Sequence, residues 1–145
     1  MIYTHKDLGK VLYQSVFSNF KDLEFADEEI NFYITNMLIK FIDARKVRDL
    51  KNFKIENLIL EEPENIKPEG IIKNIADSVL FNLGIFNSYY KKRNSVGFYT
   101  HIGKRFYYVS SLYYLDFGET LKKISDNFEG CLFGLNKVSK ELNLG

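Results

Sequence analysis

Asp77 is the residue of this chain whose surroundings most invite chemistry. It stands among Ile75, Ala76, Val79 and Leu80, where a carboxylate is costly to bury without a partner. Its expected role is structural: it points outward, or it pairs with a cation of the segment that follows, such as Arg93 or Arg105. Proton transfer is the sharper alternative and needs a second titratable group close by, which no spacing in the sequence supplies. Tyr99 and Tyr107 join Asp77 as candidate structural polar residues.

The second candidate is a binding surface. Residues 78 to 115 hold 11 of the 23 aromatic residues, five basic ones and no Asp or Glu. Within that stretch, Tyr89, Tyr90, Lys91, Lys92 and Arg93 can stack on bases and neutralise phosphates, and Lys104 and Arg105 can extend the patch. The plainer reading is a solvated basic face, with Tyr99, Tyr107, Tyr108, Tyr113 and Tyr114 at helical spacing for packing. An apolar ligand would instead need a pocket lined by Phe81, Phe86, Phe98 and Phe106.

Other chemistries lack their parts. His5 and His101 stand 96 residues apart and Cys131 is the single cysteine. No metal-ligand spacing links them, so no metal and no cofactor is expected. His101 reads as a surface or hydrogen-bonded residue. Cys131 has apolar neighbours at helical spacing and reads as a small core residue, not an activated thiolate. Gly84, Gly97 and Gly103 are too spread to cradle a phosphate. Gly103 is expected to let a neighbouring helix come close.

The elements that position these residues are helices, because apolar residues recur at three and four and strand-like alternation is nearly missing. Thr4, with Asp7 three residues on, is expected to cap a helix carrying Leu8, Leu12, Val16 and Phe20. Asp27 is the expected cap of a second, whose face runs from Ile30 through Tyr33, Ile34, Met37, Leu38, Phe41 and Ile42 to Arg45. Residues 46–68 read as a crossover that packs down, with one short helix at most. A helix after Pro68 carries Ile71, Ile72, Ile75, Val79, Leu80 and Leu83, is apolar on most of its circumference and stops at Gly84. Asn87 can cap a short turn. A long helix spans Val96 to Leu115, and a last one from Glu119 or Thr120 carries Leu121, Ile124, Phe128, Cys131, Leu135 and Leu142. The fold class is therefore all-α: a single domain over residues 1–145, a bundle of five to six helices, with antiparallel neighbours and one longer crossover. The acid-free middle is expected to form two interior helices whose rings knit the molecule together.

Bulk properties bound the rest. At 145 residues the chain is one domain by size, and folding hides roughly two-thirds of the surface of the unfolded chain. A net charge of +1 argues against a surface built wholly for nucleic acid or acidic membranes. One cysteine fits a reducing compartment, and no apolar run approaches the ~20 residues that span a bilayer. A cytoplasmic protein with no membrane partner is expected.

The pattern Asp77-x-x-Leu80-Phe81-x-x-Gly84-x-Phe86, followed by Tyr99-x-x-x-Gly103-x-x-x-Tyr107, resembles a family of small, uncharacterised bacterial helical proteins. The likeness covers roughly residues 27 to 135, and the upstream helix with Tyr33, Leu38 and Phe41 is similar in kind. In the family a Gly often precedes the aspartate and a Pro often follows the second phenylalanine. Here Ala76 and Asn87 stand there, which bears on the turn. The resemblance implies a helical single domain and no particular activity.

Two functions follow from these residues. The leading expectation is a non-enzymatic module that binds a protein partner or itself, because aromatic residues exceed what a small core needs. The alternative is a small-ligand or single-stranded nucleic-acid binder that uses residues 89–107. An enzyme is a third reading, since a perturbed carboxylate can act without a motif.

Overall fold

The computed structural model describes residues 5–43 and 69–145. The Thr4 cap, the Arg45 end of the second stripe and the 46–68 crossover lie outside the described residues. Every regular element within them is a helix: α1 His5–Phe20, α2 Glu28–Asp43, α3 Glu69–Ile85, α4 Asn87–Lys92, α5 Val96–Ser111, α6 Gly118–Asp126 and α7 Phe128–Leu142.

Local signals set several of these boundaries. Asp27 Oδ1 accepts the Ile30 backbone N–H at 2.9 Å, which satisfies one of the amides that open α2. Glu28 and Glu29 follow in the first turn, where the helix dipole favours negative charge. α1 buries Leu12, Val16 and Phe20, and α2 buries Ile30, Ile34, Leu38 and Phe41, each at the spacing of one helical face.

α3 is the interior helix. Every residue from Ile75 to Ile85 is buried, and α3 packs most extensively on α5 and then on α7. α1 packs on α2 and α7, and α6 folds back on α5. Rings bridge the elements: Phe41 stacks on Phe81 at 5.1 Å between centroids, and Tyr90 meets Tyr99 edge-on at 5.7 Å. The buried apolar side chains form one connected core.

Four expectations change. Gly84 does not stop α3, which continues to Ile85. A Cβ at Gly84 would lie 2.6 Å from Leu135 Cβ, so the residue serves the close approach of α7. α5 ends at Ser111, not Leu115, because Leu112 and Tyr113 donate their N–H groups three residues back, to Val109 and Ser110, and the chain turns toward α6. The last helix is two, broken at Asn127 (φ −122°, ψ 32°) between α6 and α7. Asn87 is the first residue of α4, with Phe86 at the cap position and no side-chain cap bond.

α5 is interior on one side only. Tyr99, Ile102, Phe106, Tyr107 and Val109 are buried, whereas Phe98, His101, Arg105 and Tyr108 face outward. Tyr108 and Tyr113 are each 46% exposed, contrary to the packing role expected of them. At about 100° per residue, position 108 falls on the side of α5 opposite the core.

Candidate functional site

Asp77 points inward, on the buried stretch of α3, with 2% of its surface exposed. Three helices bring it partners. Tyr33 of α2 donates its hydroxyl to Asp77 Oδ1 at 2.6 Å, and Tyr107 of α5 donates to the same oxygen at 2.7 Å. Lys73, one turn earlier on α3, sets its ammonium 3.0 Å from Oδ2. The carboxylate is therefore neither exposed nor held by Arg93 or Arg105. A lysine at i−4 sits closer in the fold than either arginine, because α3 itself carries it to the right side.

Burial first, and then the charge of Asp77, push the hydroxyls of Tyr33 and Tyr107 well above the usual tyrosine value of 10.0. Both phenols stay protonated at neutral pH and act as donors to the carboxylate. Such donors stabilise a buried charge. The arrangement is a fastener between α2, α3 and α5. Of the structural polar candidates, Asp77 and Tyr107 meet here. Tyr99 is buried elsewhere, against Tyr90 and Phe98. Tyr33 and Lys73 are the members that the sequence reading did not place.

A cavity of about 240 Å³ opens beside this fastener, lined by Tyr33, Asn36, Met37, Lys40, Lys73 and Phe117 along with Asp77. Lys40 donates to Asn74 Oδ1 at 2.7 Å, so one of its cations is already engaged.

The basic-aromatic candidates divide. Lys91, Lys92 and Arg93 are exposed at the end of α4. Arg93 sets its guanidinium carbon over Tyr89, 3.6 Å from the ring centre, and donates Nη1 to the Tyr89 carbonyl oxygen at 2.9 Å. Tyr90 is buried. Lys104 is drawn to Glu129 of α7 at 3.2 Å, and Arg105 is exposed on the outward face of α5. Tyr89, Lys92 and Arg93 come together on one groove, which Lys104 and Arg105 do not line. The apolar pocket imagined from four phenylalanines does not form. Phe81 and Phe106 are buried in the core, and Phe98 is 56% exposed.

Cys131 is fully buried, and burial pushes its thiol up to about 12. It is packing, not a nucleophile. His101 is exposed. His5 opens α1, and its side chain lies outside the described residues. Among the described residues no three His, Cys, Asp or Glu side chains cluster as metal ligands, and no helix is long and apolar enough to cross a membrane.

The chain matches no known protein family, no curated protein and no solved structure.

Proposed function

We propose that this protein is a non-enzymatic helical module that associates through the outward face of α5, with a second copy of itself as the partner. One observation carries the reading. Phe98, His101, Arg105, Tyr108 and Leu112 follow one another at three- and four-residue steps, all exposed, with Phe98 at 56%, Tyr108 at 46% and Leu112 at 69%. Aromatic and arginine side chains in one continuous stripe are the composition of an interface centre. The net charge of +1 leaves little repulsion between copies.

The finer layout belongs to the same proposal: antiparallel neighbours in one domain. So do a place among the small bacterial helical proteins that the Asp77-to-Tyr107 pattern resembles, and a reducing, cytoplasmic setting for the single cysteine. Each of these is supported by sequence pattern alone.

The test is light scattering of the purified chain through the micromolar range. The mass should rise above that of one 17.0 kDa chain, and the double variant Phe98→Glu/Tyr108→Glu should return it to the monomer with its helical signal intact. A chain that is monomeric throughout, or whose association ignores the double variant, overturns the reading.

A further inference from the structure

The end of α3, the short α4 and the last two turns of α7 enclose a groove of about 590 Å³. Residues far apart in sequence build it. Ser139 of α7 donates Oγ to the Ile85 carbonyl oxygen at 3.0 Å and fastens α7 to the end of α3. The missing side chain at Gly84 lets Leu135 approach, so the two walls stand close.

The lining side chains are one-sided in charge. Lys92, Arg93 and Lys140 contribute three cations, and no Asp or Glu side chain lines the groove. Arg93 is held in place by its stack on the Tyr89 ring and its bond to the Tyr89 carbonyl. A guanidinium carries five N–H donors, and that bond uses one. Asn136 and Asn143 add side-chain amides, and Asn143 adopts the left-handed conformation, φ 55°, where α7 ends. Phe86 and Tyr89 supply aromatic wall.

We propose that this groove binds a small phosphate-bearing molecule. A phosphate monoester carries about −1.5 to −2 charges at neutral pH and offers three acceptor oxygens, which suits three cationic side chains on one groove that no Asp or Glu side chain lines. Guanidinium and ammonium groups are the side chains that recognise it. The volume lies within the roughly 300–1,000 Å³ typical of small-molecule sites. The amides and rings add a surface for the planar or polar remainder of an organic phosphate. A single strand of nucleic acid fits less well. It needs a continuous basic track; of the other candidate cations, Lys91 and Arg105 do not line the groove and Lys104 is paired with Glu129 away from it. None of the exposed α5 stripe lines the groove, so this site stands or falls separately from the association face.

The experiment is calorimetric titration of the full chain, with the C-terminus untagged because Gly145 lines the groove. The probes are adenosine monophosphate, inorganic phosphate and a single-stranded oligonucleotide. One-to-one binding of either phosphate probe is expected, weakened about tenfold or more by Arg93→Ala and by Lys140→Ala. Lys122→Ala should leave it unchanged, since Lys122 is paired with Asp126 on α6. Arg93 and Lys140 are both exposed, and an unchanged helical signal verifies that the variants fold. Comparing the nucleotide with inorganic phosphate shows whether the source is an organic or a free phosphate; both support the site. Absence of binding by both, or binding that both variants leave intact, overturns it. So does tight binding of the oligonucleotide alone that falls on replacing Lys104 and Arg105 with Ala.

Discussion

Tyr33 and Tyr107 end on the same atom. Their rings meet nearly edge-on, 6.4 Å apart at 72°, and their hydroxyls reach Asp77 Oδ1 at 2.6 and 2.7 Å from two different helices. One carboxylate oxygen thus records the relative placement of α2, α3 and α5. Removing either hydroxyl withdraws a donor from a buried charge.

Tyr107→Phe should lower stability by about 1.5–3 kcal/mol, the usual worth of a hydrogen bond to a charged group. Tyr33→Phe should also destabilise. The double variant should cost more than the sum, because the first loss leaves one donor on Oδ1 and the second leaves none. Urea unfolding of the four proteins, followed by circular dichroism, checks this. Strict additivity would mean that the two hydroxyls act independently.

Alkali should unfold the protein. The folded values of Tyr33 and Tyr107 lie above 10.0, so the unfolded chain loses these protons first. The stability they contribute is complete below that value and declines as the pH rises past it. Tyrosinate absorbance should show two hydroxyls that ionise only as the helical signal disappears. Tyr107→Phe should remove one of them. Smooth titration of every tyrosine while the helices persist would contradict the burial of this pair.

Gly103→Ala should destabilise by about 1–3 kcal/mol through overpacking. Its Cβ would fall 2.6 Å from the Phe128 ring and 3.2 Å from Val79 Cγ1, and Phe128 is fully buried. Gly97→Ala on the same helix meets nothing within 4 Å and should be neutral, or stabilising by up to about 1 kcal/mol. Melting temperatures of the two variants should move apart.

Asp27 should confer acid sensitivity on α2. Burial pushes its carboxyl up, but the bonds from Lys123, at 2.6 Å, and from the Ile30 amide outweigh that and hold it below the ordinary 3.8. Its contribution is present above 3.8 and is lost as the pH falls below that, through the lower value of the folded state. Asp27→Ala should cost about 0.5–2 kcal/mol at neutral pH through the lost cap and should flatten the acid limb of the stability curve. Lys123→Ala should cost less, because that pair is exposed on the surface.

What could be read from the sequence was what neighbours in sequence decide. The Asp27 cap, the buried stripes of α1 and α2 and the apolar girth of α3 all follow from residues within a turn or two of one another. Gly84 misled because a glycine after an apolar run signals a stop or a close approach equally well, and its partner Leu135 lies far along the chain. The break at Asn127 was hidden because Leu121, Ile124, Phe128 and Cys131 keep helical spacing across it. Lys73 was in reach, four residues before Asp77, whereas Tyr33 and Tyr107 arrive on other helices. The groove shares that reason: its Lys92 and Arg93 stand out in the sequence, but Lys140 and Asn143 look like an ordinary solvated helix end until α7 is laid beside α3.

The fastener at Asp77 and the single turn and a half of α4 impose unequal lifetimes on different parts of the molecule. Amide protons of α3 from Ile75 to Ile85, where every residue is buried, should be the last to exchange with heavy water, whereas α4, held by few buried side chains, should breathe earliest. Any molecule that seats against Lys92 and Arg93 would then be felt first as a slowing of exchange in that one short helix.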